Sequence, residues 1–193
     1  MPGSKKNEFQ NIYNFNAETN AYVINVSLED YSELFNGWDA SPLRRKDLEP
    51  ELLDYLEQAG TEIPLKEKIE ICFHLPKTMH DVDKESKSLT GIQNNFKVVM
   101  FFINKTLKTN YRQLAIYVLM GTLFLVGAYV AKNLADLQIL FSIMIEGLFI
   151  GGCFLMWEAF SLIFFESHET RRRKAIIKRF LDCNIYFQDT ETK

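Results

Sequence analysis

The chain reads as a membrane α-helical hairpin of two transmembrane helices joined to a small cytosolic α/β domain, and three observations predict this. Two long apolar runs fill Leu114 to Phe165, divided only by the polar insert Lys132 to Gln138. The first run, Leu114 to Ala131, carries no charge over about 18 residues, close to the ~20 a helix needs to cross ~30 Å of hydrocarbon. Residues 1 to 110 are rich in Lys, Glu, Asp and Asn, so the mean hydropathy of the whole chain is only −0.11. Buried core helices of a soluble protein could carry such runs, but two in 193 residues leave too little polar surface to cover them. The expected division is 1–83 for the α/β domain, 84–110 for an amphipathic connecting helix, 111–166 for the hairpin, and 167–193 for a basic interfacial helix and a terminal strand.

The soluble elements follow from alternation. Tyr22 to Leu28 and Lys68 to Leu75 alternate apolar with polar residues, and Pro76 closes the second, so both are expected as strands with one buried face. Between them, Pro50 opens and Gly60 stops a short amphipathic helix over Pro50 to Ala59, giving a β-α-β order. Asn184 to Gln188 alternates again, so the carboxy-terminal segment is expected to return as a third strand of the same sheet. Leu89, Ile92, Phe96, Val99 and Ile103 recur at spacings of three and four, which predicts a helix from about Lys84 to Lys108 leading into the first span. Its stripe either covers the sheet or forms a self-associating stalk.

Charge placement orients the hairpin. Lys105, Lys108 and Arg112 precede the first span and Arg171-Arg172-Arg173-Lys174 follow the second, whereas the turn offers only Lys132. The positive-inside rule then puts both termini in the cytoplasm. Met1 to Asn20 lacks the apolar core of a signal peptide. The four basic residues Arg171, Arg172, Arg173 and Lys174 serve as a topology anchor or as a site for anionic lipid headgroups, with Ile176, Ile177, Phe180 and Leu181 turned toward the bilayer.

Several function classes are disfavoured. A net charge of −3 lacks the basic excess of a nucleic-acid binder. Cys72, Cys153 and Cys183 have neither disulfide nor zinc spacing and are read as reduced thiols. Glycine-rich phosphate loops are absent, and no cofactor is expected. His74, His80, Asp81 and Asp83 could be drawn as a metal cluster, but His74 sits in an alternating strand and the others in a charged turn, so no metal site is expected. His168, beside Glu166 and Glu169, reads as an interfacial side chain at the end of the second span.

The second span holds the unusual chemistry. Glu146 and Glu158 interrupt an apolar run that contains 15 Leu, Ile and Phe residues between Ile139 and Phe165. A carboxylate near the bilayer centre costs ~3 kcal/mol on insertion scales. The two glutamates are 12 residues apart, about 18 Å along a helix, so only one can sit near the midplane. Gly147 and Gly151 form a G-x-x-x-G pair whose stripe continues to Phe154 and Glu158, with Glu146 and Gly152 on its edge. That face either packs on the first span, where Gly121 and Ala128 offer small residues, or forms a subunit interface or polar path in a homo-oligomer.

The run Phe35 to Leu48, followed by Leu52 to Glu57, Glu62-Ile63-Pro64 and Ile69 to Pro76, resembles an uncharacterised family of small bacterial two-span inner-membrane proteins. The likeness extends over nearly the whole chain, including the Glu146-Gly147 step and Trp157 near the inner end of the second span. It implies an inner-membrane location and assigns no chemistry. Three functional classes follow: a membrane-anchored sensor or adaptor with a cytosolic protein or ligand partner, an oligomeric channel or membrane-disrupting effector of a bacterial stress or antiviral response, and an enzyme, for which the residues give no constellation.

Overall fold

The computed structural model describes residues 12–134 and 139–190. The chain is mostly helical, with one small mixed sheet and two helices long and apolar enough to cross a membrane. It divides into two compact units, Met1–Phe102 with Arg173–Lys193 and Ile103–Arg172. Residues 135–138 of the polar insert, and 1–11 of the segment read for a signal peptide, lie outside the described residues.

The first unit is built on four strands in spatial order β1 (Asn14–Asn16), β2 (Ala21–Ser27), β3 (Lys68–Leu75) and β4 (Asn184–Asp189). β1 runs antiparallel to β2, and β2, β3 and β4 are mutually parallel. The expected strand at Lys68 to Leu75 is observed at those residues, and the carboxy-terminal strand joins the same sheet. β1 escaped sequence reading because it is three residues long. It is turned back onto β2 through Asn20, which adopts φ 53°. Asparagine tolerates that left-handed conformation better than most residues.

With parallel strands in sequential order, right-handed crossovers place the connecting helices on one face of the sheet. Helix α1 (Pro50–Glu62) links β2 to β3. It does not stop at Gly60, as expected from sequence, but runs two residues further and ends at Ile63, whose extended backbone is what a residue before Pro64 prefers. Gly60 is a packing notch instead: a Cβ there would lie 2.7 Å from Ile176 Cγ2 and 2.8 Å from Phe180 Cζ. Those two side chains belong to helix α4 (Ser167–Asp182), and Phe180 also packs against Phe96, the rings tilted by 31° with centroids 5.3 Å apart.

This corrects the interfacial-helix expectation. Ile176, Ile177 and Phe180 are buried in the α/β core, not free to enter a bilayer. An amphipathic pattern fixes which face needs covering but not what covers it.

Helix α2 (Val82–Leu134) begins where Asp81 Oδ1 accepts the backbone N–H groups of Asp83 (2.9 Å) and Lys84 (3.2 Å), satisfying two free donors of the first turn. The stripe read as a connecting helix continues without interruption into the first apolar run. Gly91 lies under the loop that closes at the Phe35–Leu48 bridge, and a Cβ there would meet the Leu43 carbonyl oxygen at 2.4 Å. Gly91→Ala should therefore destabilise the unit by about 1–3 kcal/mol in thermal unfolding, despite alanine's better helix propensity, because a backbone oxygen cannot rotate away. Gly37→Ala, with open space around it, serves as the neutral control.

The second unit contains the remainder of α2, helix α3 (Ile139–Ser161), a π turn at Leu162–Glu166 and the first residues of α4.

Candidate functional site

Seam residues of the second unit recur every seven positions. Gly121 and Ala128 on α2, and Ile145, Gly152 and Ala159 on α3, are buried. Sevenfold spacing keeps one face of each helix against its neighbour. The closest approach is between glycines: a Cβ on Gly152 would stand 2.9 Å from Leu125 and 3.2 Å from the Gly121 carbonyl oxygen. Past Leu162 the next buried residue is Ser167, and Glu166 is exposed. The π turn inserts one residue, so a serine takes the seam place that an uninterrupted α-helix would give to the glutamate four residues on.

The sequence-derived residues separate on this scaffold. Gly151 touches Phe124, its Cβ position 3.5 Å from the ring, whereas nothing lies within 4 Å of a Cβ on Gly147. Glu158 is half-buried and Glu146 is exposed. The seam glycine is Gly152, one residue beyond the G-x-x-x-G pair and about 100° around the helix from Gly151.

Glu146 instead joins a groove of about 460 Å³ with Tyr129 and Lys132 of α2, lined by Leu125, Phe149 and Ile150 over the buried Ala128 and Ile145. Sequence reading treated Lys132 only as the single basic residue of the turn. Its place in one groove with Glu146 depends on how the two helices register, which neither run reveals alone.

The four basic residues also part company. The Arg171 guanidinium donates to the Tyr111 hydroxyl, Nε at 2.9 Å, and lies over its ring. Arg173 forms a two-pronged ion pair with Glu57 of α1, at 2.8 Å from Nε to Oε2 and 2.8 Å from Nη2 to Oε1. That pairing holds the Arg173 guanidinium above its ordinary pKa. A fork bound this way is already committed to a protein carboxylate.

Within the α/β unit, Arg179 closes the carboxyl end of α1. Its Nη1 donates to the carbonyl oxygens of Gly60 (3.1 Å) and Ile63 (3.2 Å), and Nη2 to that of Glu67 (2.9 Å). Burial lowers its pKa without neutralising an arginine. Nearby, burial pushes the Cys183 thiol up to about 12, away from the thiolate form. Arg179 and Glu70 border an open cleft of about 490 Å³ at the amino ends of the parallel strands.

The histidines considered as metal ligands do not converge. His74 Nε2 is 2.9 Å from Asn25 Oδ1, while His80 sits between Glu85 (2.7 Å) and Asp189 (3.1 Å). Among the described residues, no group of three or more His, Cys, Asp or Glu side chains could hold a metal ion.

Fold and site together define a class: a two-helix apolar hairpin carrying an α/β module of one sheet. The chain matches no family model, no curated protein and no solved structure.

Proposed function

We propose that this chain is a membrane-anchored sensor or adaptor. In this reading the hairpin sits in the bacterial inner membrane with both termini cytoplasmic, copies self-associate through the hairpin, and the α/β unit binds a cytosolic protein or ligand. One observation carries it. The chain passes between the two units at Phe102–Ile103 and at Arg172–Arg173, and both crossings lie inside helices, α2 and α4. Flexible tethers would isolate a binding module from its anchor, whereas helical connections let an ordering event in one unit bias the other.

The test is hydrogen exchange on the full chain in nanodiscs, with and without a cytosolic fraction. Added protection in the α/β unit with a concurrent change in the hairpin is expected, and no change in either unit would reject the reading. A reporter fused after Lys193 should report a cytoplasmic location, since the basic residues flank the terminal ends of both apolar runs. Periplasmic activity would reverse the proposed topology.

A second reading, an oligomeric channel or effector, draws support from Glu146 being exposed on an apolar helix whose one other charged residue is the half-buried Glu158. Step-like currents in a planar bilayer, altered by Glu158→Gln or Glu146→Gln, would favour it.

A further inference from the structure

We propose that the groove holding Glu146 and Lys132 is a two-fold interface between two copies of this chain, in which Glu146 of each copy pairs with Lys132 of the other and the Tyr129 hydroxyl donates to the same carboxylate. The inference rests on the membrane-anchored reading and specifies which face of the hairpin meets its mate.

The groove brings together one carboxylate, one ammonium and one phenol, with the buried Ala128 and Ile145 beneath and Leu125, Phe149 and Ile150 completing the apolar lining. Among the described residues no ion pair reaches either Glu146 or Lys132. Inside hydrocarbon such groups pair with one another or with protein, because acyl chains supply neither counter-charge nor hydrogen bond.

A second copy inserted with the same topology brings an identical groove at the same depth, so a two-fold axis along the membrane normal matches each sign with its opposite. The depths are compatible. Lys132 lies two residues before the end of α2 and Glu146 seven residues into α3, which places them about 3 Å and about 10 Å from their helix ends. A flexible lysine stem covers that difference, and Tyr129, almost one turn deeper than Lys132, lies closer to the carboxylate's level.

The rival arrangement is a bridge within one chain, since both residues line one groove. Charge reversal separates the two. Glu146→Lys gives a chain with two cations in the groove, and Lys132→Glu gives one with two anions. Expressed singly as differently tagged full-length chains, each should lose at least tenfold in self-capture from mild detergent. Expressed together they should capture each other at the wild-type level, because each supplies the charge that the other lacks at both pairing positions. Failure of the mixture to recover would overturn the interface, as would single variants that self-associate like the wild type. In the latter case wild-type self-capture would persist and the oligomeric adaptor would survive with another face. Loss of wild-type self-capture would remove both.

Should either reversal reduce membrane insertion, a milder pair answers the same question. Copies carrying Lys132→Cys and copies carrying Glu146→Cys, both with Cys153→Ser, should form a mixed dimer when treated with a flexible bis-maleimide whose arm replaces the reach of the lysine stem, a reach that a direct disulfide lacks. Absence of that dimer alongside normal insertion rejects the pairing.

Discussion

Gly152→Leu should break the hairpin, costing roughly 3 kcal/mol or more, while Gly147→Leu five residues earlier should leave it intact. The difference follows from what each side chain meets. At Gly152 the first added carbon already stands 2.9 Å from Leu125 and 3.2 Å from the Gly121 backbone oxygen, so a leucine side chain can enter only by forcing the helices apart. At Gly147 the same carbon meets nothing. Limited proteolysis of the full chain in detergent, followed over temperature, would read the two outcomes. Equal sensitivity of both variants would mean that the glycines do not play separate roles. A Gly147→Leu chain that keeps the wild-type proteolysis profile but associates less would place that glycine on a surface between copies.

Arg179→Met should lower the stability of the α/β unit by roughly 2–4 kcal/mol. Methionine keeps much of the stem but removes donors to three carbonyl oxygens, those of Gly60, Ile63 and Glu67. Two of these belong to the last turn of α1 and its cap, where carbonyls lack intrahelical partners. Thermal unfolding monitored by circular dichroism should show the loss as a midpoint lower by roughly 10 °C. Arg179→Lys should restore only part of it, because one ammonium cannot reproduce the spread of a planar fork. A midpoint unchanged in Arg179→Met would show that water satisfies these carbonyls equally well.

The sequence announced its regular elements where the physics is local. β3 was legible because Ile69, Ile71, Phe73 and Leu75 alternate with Glu70, Cys72 and His74 and end at a proline. Helix α1 announced its start through Pro50, but its end was misplaced because a glycine inside a helix looks like a stop until the side chains that need the space are known. The same limit governed the site. G-x-x-x-G drew attention to Gly147 and Gly151, yet adjacent helical residues point about 100° apart, and only the pairing of two helices selects Gly152. Similarly, Ile176, Ile177 and Phe180 declared an apolar face, and either lipid or a sheet layer could have satisfied it. Glu146 was conspicuous by itself, whereas Lys132 and Tyr129 acquired meaning only when a second helix brought them into the same groove.

The π turn at Leu162–Glu166 gives the second long helix something like a reading frame. Every residue before it is read onto the seam in one frame, every residue after it in a frame advanced by one, and the change of frame decides whether Ser167 or Glu166 faces the neighbouring helix. Substitutions within the turn alter a letter, and deleting one of Ile163, Phe164 or Phe165 returns a plain α-helix with Ser167 four residues past Leu162 and still in the seam, whereas inserting one residue alters the frame and delivers the Glu166 carboxylate to the place now held by the buried serine. An added residue at this point therefore carries consequences that a change of identity does not, even though the side chains it would stand among, Ile163, Phe164 and Phe165, are exposed and apolar.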